Sequence, residues 1–134
     1  MRIVYDDAAQ DEMIKAVSRF METFDVKGIV EYEWGMDRVQ MHKLKERLNE
    51  FLEKNHRMSI GNTVTHANGI GNNCNYPVYY RPETANELQQ CGSINLNSGM
   101  YGEGFVSCED YNGKIISAVY EVRKSGIKKR RESA

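Results

Sequence analysis

Met13, Ile14, Val17, Phe20, Met21 and Phe24 recur at spacings of one, three and four, which stacks them on one face of a helix from about Asp7 to Phe24. Asp6 and Asp7 supply N-cap chemistry and negative charge at that helix's positive end. A second stripe of Met41, Leu44, Leu48, Phe51, Leu52 and Asn55 follows the capping residue Asp37 and predicts a helix to about Lys54. Between the stripes, Ile29, Val30, Tyr32 and Trp34 form a β-rich run with Glu31 and Glu33 on the other side, the pattern of a half-buried strand. Arg2 to Tyr5 predicts a short edge strand.

After Asn55 the helix formers give way to β-branched, aromatic and turn residues. Met58, Ile60 and Val64 within Arg57 to His66 predict two short strands separated by a bulge or turn at Gly61 and Asn62. Ala67 to Asn75 has the composition of a loop, and Tyr76 to Arg81 that of a strand limited by Pro77 and Pro82, because proline offers the ladder no donor. Thr84 with Glu87 three residues on predicts a short helix over Glu83 to Gln90. Cys91 to Asn97, Gly104 to Glu109 and Lys114 to Val122 follow as strands. Asn112-Gly113 separates the last two and is the preferred dipeptide of a type I′ hairpin, whose central residues both need positive φ.

These elements give an α+β fold: two amphipathic helices packed on a mainly antiparallel sheet built mostly from the C-terminal half. The chain of 134 residues, 40% hydrophobic, suits a single domain over residues 1–122 with a basic, flexible tail over 123–134. The formal charge of -1 conceals this asymmetry. Without Arg123 to Glu132, six basic residues and one acidic, the body keeps 12 basic against 18 acidic side chains and repels a bare polyanion. Short exposed sheet edges lead to the expectation of a homo-oligomer.

Cys74, Cys91 and Cys108 are an odd number, and the start of the chain lacks a secretory apolar run, so a reduced cytoplasmic setting is expected, with no membrane span. Structural zinc sites use closely paired ligands such as C-x₂-C, and none is present; no metal or cofactor is expected. His42 falls opposite the apolar stripe of the second helix, and His56 at that helix's C-terminus suits its dipole. His66 with Cys74 is a candidate catalytic pair of a hydrolase or transferase, lacking a third group. Glu31 with Glu33, and Glu109 with Asp110, are carboxylate pairs whose crowding would raise a pKa. The glycines of Gly69 to Gly71 and of Gly99 to Gly104 lack the order of a phosphate-binding loop.

Function concentrates in Gly61 to Gly104, where asparagine, glycine and tyrosine crowd together with four charged residues and no lysine. Tyrosine offers rigid stacking area, asparagine hydrogen-bonding edges, and arginine a fork for phosphate or carboxylate. Arg57, Tyr79, Tyr80, Arg81, Asn95 and Tyr101 are therefore the candidate contacts of a non-enzymatic binding protein that recognises a nucleotide-like ligand or a partner protein. The small size and basic end also suit an accessory factor of a virus or mobile element. Alternating tyrosines that pack one sheet face, with asparagines in turns, explain the same composition structurally. Nucleic-acid binding through Lys124, Lys128, Lys129, Arg130 and Arg131 is the alternative class, recognisable by its dependence on salt.

Overall fold

Both apolar stripes form the helices their spacing predicts, α1 (Asp7–Thr23) and α2 (Arg38–His56). The computed structural model describes residues 3–5, 7–30, 37–61, 65–66, 72–81, 88–98, 104–110 and 112–131. Asp37 caps α2 as expected: its carboxylate accepts from the Gln40 N–H at 2.9 Å, and Gln40 Oε1 accepts from the Asp37 N–H at 3.1 Å, a reciprocal capping box. At the other end Arg57 adopts the left-handed conformation (φ 56, ψ 30) and donates its N–H to the Leu52 carbonyl.

Eight strands among the described residues join into one sheet: β1 (Ile3–Tyr5), β2 (Met58–Ile60), β3 (Thr65–His66), β4 (Asn72–Tyr80), β5 (Leu88–Ser98), β6 (Gly104–Glu109), β7 (Val119–Arg123) and β8 (Gly126–Arg131). The order is β2-β4-β5-β6-β7-β8, antiparallel throughout, with β3 continuing the β2 side of β4 and β1 pairing parallel with β5. Both helices pack on one face, α1 over β5 and β6 and α2 over β2 and β5. That face supplies Val78, Ile94, Leu96, Val106, Cys108, Tyr120 and Val122 to a core completed by Met13, Val17 and Met21 of α1 and Leu44, Leu48 and Leu52 of α2. Each fully buried aliphatic side chain contributes about 1.5–3 kcal/mol by leaving water. The chain is α+β.

Several local expectations are corrected. Pro77 lies inside β4 and does not limit it, paired with Ser93 of β5. Its carbonyl accepts from the Gly61 N–H at 2.8 Å, so its nitrogen, which has no N–H, faces the end of β2 on the side away from β5. Residues 72–75, read as loop, belong to β4, and Leu88 to Gln90, read as helix, belong to β5. Ile29 and Val30 both donate to the Val26 carbonyl, a helical turn that does not start the expected strand; Tyr32 to Trp34 lie outside the described residues.

The hairpin between β6 and β7 exists, but its turn is different. Asp110 and Lys114 close it, Gly113 donates to the Asp110 carbonyl at 3.2 Å, and Gly113 alone among the described loop residues has positive φ (+81). Asn112 therefore does not adopt the type I′ conformation; the glycine takes the left-handed position that follows a turn, as in three-residue hairpin loops. The regular pairing of β7 begins only at Val119, with Ile115 making an isolated bridge to Glu109. In β5 the register slips at Cys91, and Gly92 (φ +138) fills the bulge: a Cβ there would stand 2.6 Å from the Glu109 carbonyl oxygen and 3.1 Å from Met13 Cε. Only glycine lets α1 and β6 close over this point.

The segment read as a flexible basic tail is instead β8 to Arg131, paired antiparallel with β7. Two contacts explain its order. Ile127 packs on the core, and Arg130 Nε stands 3.4 Å from Glu121 Oε1. No described helix is long and apolar enough to cross a membrane.

Candidate functional site

Strand alternation sends Tyr76, Val78 and Tyr80 toward the helices and Asn75, Pro77 and Tyr79 to the opposite face, free of described helices. The tyrosines grouped from sequence are thus divided. Lys45 Nζ of α2 sits 4.6 Å from the Tyr76 ring centroid. Tyr80 lines a cavity of about 340 Å³ with Ala8, Ala9, Glu12, His56 and Met58. Tyr79 lies on the far side, over Gly61, which packs beneath the rings of Tyr79 and Pro77. Tyr101 lies outside the described residues.

Three rows cross the helix-free face. Pro77, Ser93 and Glu109 form the first, Asn75, Asn95 and Ser107 the second, and Asn97, Phe105, Glu121 and Lys128 the third. Asn95 Nδ2 donates to Asn75 Oδ1 at 2.7 Å, and the Asn75 side chain in turn hydrogen-bonds the Glu109 carboxyl. An asparagine that accepts with its oxygen and donates with its nitrogen joins the two neighbours into a directed chain. Ser107 is 5% exposed and Glu109 and Glu121 are 8% exposed, whereas Asn75, Asn95, Asn97 and Phe105 on the same face are half-buried. Burial is the main reason the Glu109 carboxyl is raised above its ordinary value; the Asn75 hydrogen bond opposes that and the nearby Asp110 charge adds to it. Asp110 itself accepts from the backbone N–H groups of Asn112 and Lys114, both at 2.9 Å.

Arg57 and Arg81 are brought together elsewhere. Pairing of β2 with β4 sets the Arg81 N–H on the Arg57 carbonyl at 3.1 Å, and both arginines line a groove of about 330 Å³ with Glu53, Met58 and Ser59. Ser59 is the register partner of Tyr79, so the groove opens beside the Tyr79 end of the helix-free face. Of the six residues expected in one site, Tyr79 and Asn95 share that face, Arg57 and Arg81 share the groove, and Tyr80 belongs to the helix side.

His66 is the register partner of Cys74, so the ladder does set this candidate pair opposite each other. Cys74 alternates with Tyr76 toward the helix side, whereas Asn75, Asn95 and Glu109 leave from the other face and cannot orient the pair. Cys91 and Cys108 are fully buried, and none of the three cysteines is in a disulfide. Burial pushes the Cys108 thiol up to about 12, with the Ser117 contact opposing and Glu109 adding, so it carries no thiolate at neutral pH. Among the described residues no group of three or more His, Cys, Asp or Glu is arranged to hold a metal ion.

His42 lies on the exposed side of α2, with Nε2 3.0 Å from Glu46 Oε1, and the His56 ring packs 5.4 Å from that of Phe51. The basic residues of the alternative reading stand on an edge strand: Lys124 occupies the turn before it, Lys128, Lys129 and Arg131 are the register partners of Glu121, Tyr120 and Val119, and Arg130 contacts Glu121. Glu121 also contacts Arg123, so two guanidiniums converge on one carboxylate and part of the basic charge is already compensated.

Ser107, Phe105 and Glu121 were not singled out from sequence. Their signal is the alternation of β6 and β7 once their apolar residues are assigned to the helix side. No protein-family model matches the chain, no curated protein matches its sequence, and no solved structure matches it.

Proposed function

We propose that the protein is a non-enzymatic binding module that recognises a partner protein across the helix-free face of β4, β5 and β6, with Tyr79, Asn95, Asn97 and Phe105 in contact. The observation that carries this reading is the Asn95–Asn75–Glu109 chain beside Ser107. These side chains add no apolar burial, yet they are held in fixed orientations, as a preorganised recognition surface requires. Aromatic and amide groups on a rigid sheet lose little entropy when a partner docks. Three cysteines outside any disulfide support a reducing setting such as the cytoplasm.

A nucleotide-like ligand is the second reading, favoured by the groove in which Arg57 and Arg81 meet beside Tyr79. The test is native mass spectrometry of the protein isolated from the cells that make it. A retained polypeptide that is lost from a Tyr79→Ala, Asn97→Lys variant supports the first reading. A retained phosphorylated small molecule supports the second, and a polypeptide held equally by the variant contradicts the first.

A further inference from the structure

We propose that Asn112 and Gly113, in the loop between β6 and β7, are a site of spontaneous covalent modification: the Gly113 nitrogen attacks the Asn112 side-chain amide and converts it to an acid, at a rate limited by opening of the turn that Asp110 closes. The site is independent of the partner-binding reading, because the reaction needs only water. Two observations converge on it.

The first is what the loop leaves open. Asn112, Gly113 and Lys114 are exposed, and no described residue hydrogen-bonds the Asn112 side-chain amide. The attacking residue has no side chain to shield its nitrogen. Asparagines elsewhere are held differently. Asn49 Oδ1 accepts from the Ile60 N–H at 2.8 Å, Asn55 Nδ2 donates to the Phe51 carbonyl at 3.0 Å, and Asn95 Nδ2 donates to Asn75 Oδ1 at 2.7 Å. Each of these stands in a helix or strand, and the residue after it bears a side chain.

The second is how the backbone is held. Asp110 Oδ1 accepts from the Asn112 and Lys114 N–H groups at 2.9 Å, whereas the Gly113 N–H reaches the Asp110 carbonyl at 3.2 Å, the long end of the hydrogen-bond range. The attacking nitrogen therefore carries the longest of these bonds, and a local opening of the turn frees it while the strands stay paired.

The chemistry balances with water as the one co-reactant. The Gly113 nitrogen gives up its proton and bonds to Asn112 Cγ, the Cγ–Nδ2 bond breaks, and ammonia leaves with the proton, closing a succinimide ring. Water then opens the ring at either carbonyl. Opening at the side-chain carbonyl gives aspartate; opening at the main-chain carbonyl gives isoaspartate, whose backbone is one methylene longer. Either product adds a negative charge to a loop that already carries the Asp110 carboxylate and folds back on Glu109, whose Oε1 lies 3.8 Å from where a Gly113 Cβ would stand.

The experiment is timed incubation of the full chain at mildly alkaline pH, followed by proteolytic peptide mapping with mass spectrometry that separates aspartate from isoaspartate. Asn112 should convert with first-order kinetics, faster as pH rises because the attacking nitrogen must lose its proton, while Asn95 and Asn97 stay intact. Asn112→Gln should remove conversion at this position over the same interval, since its longer side chain closes a ring far more slowly. Asp110→Ala should speed conversion several-fold by loosening the turn, and Asp110→Asn, which keeps an acceptor oxygen, should stay near the wild-type rate. Asn68-Gly69 shares the dipeptide but lies outside the described residues, and the mapping resolves it from Asn112. Conversion confined to Asn68, a rate at Asn112 no greater than at Asn95 or Asn97, or a rate unaltered by Asp110→Ala would overturn the proposal.

Discussion

Ile94 and Leu96 leave one side of β5, and Asn95 and Asn97 leave the other, yet these four consecutive positions belong to two different physical regimes. On the helix side, Ile94 is fully buried and packs with apolar neighbours from β4 and β6 under the helices. On the other side, Asn95 is half-buried and its partner is the Asn75 amide. The first face is shaped by transfer from water and dense packing, which tolerate no loss of volume. The second is shaped by hydrogen-bond direction, which sets orientation and contributes little net stability. A single strand can do both because its side chains alternate, so stability and recognition can be varied separately.

The largest effect expected from breaking this comparison is on the helix side. Ile94→Ala should cost about 2–5 kcal/mol, the range for emptying a fully buried aliphatic site, read as a lower urea midpoint with an unchanged slope. A loss below about 1 kcal/mol would mean that β5 is not in the core.

On the opposite face, Asn75→Ala removes the middle of the chain and leaves Asn95 and Glu109 each short of a partner. The expected cost is about 1–3 kcal/mol, and a variant with both Asn75→Ala and Asn95→Ala should lose less than the sum of the two single changes. Strict additivity in urea denaturation would show that the two amides are uncoupled.

The smallest effect concerns charge. The Glu109 carboxyl is raised when folded, chiefly by burial, so the folded chain holds its proton more tightly than the unfolded chain does. Its contribution to stability is fully present below the unfolded value and is lost as pH rises through the folded value. Glu109→Gln keeps an oxygen for the Asn75 donor and has no charge to bury. As pH rises above about 4, the ordinary value of an unfolded glutamate, the variant's urea midpoint should therefore gain relative to wild type. A parallel pH dependence in the two proteins would place the carboxylate in water.

The sequence made the helices legible because each stripe is local and long, and Asp37 with Gln40 is a short-range cap. It also held one answer that residue type obscured: Tyr79 and Tyr80 are adjacent on a strand and must face opposite ways, so they could not share a site. The bulge at Cys91 had a trace in Gly92, since an interior glycine marks a close backbone approach. What was not legible is non-local. β8 has one apolar residue on its core side, Ile127, and its order depends on Arg130 meeting Glu121. Its basic composition therefore resembles that of a free tail. The parallel docking of β1 on β5 and the contact of Asn75 with Glu109 likewise depend on pairings that no local pattern encodes.

The division of labour between the two faces is tested most directly by partner retention in Asn97→Lys, measured by native mass spectrometry beside its thermal unfolding. Asn97 lies on the helix-free face and is half-buried, opposite Asn73 and Phe105, where a lysine introduces bulk and charge without touching the core. The account predicts a Tm within about 2 °C of wild type, as for a substitution outside the core, together with loss of the bound polypeptide. A polypeptide retained at wild-type stoichiometry, or a loss that appears only alongside unfolding of the whole chain, would contradict it.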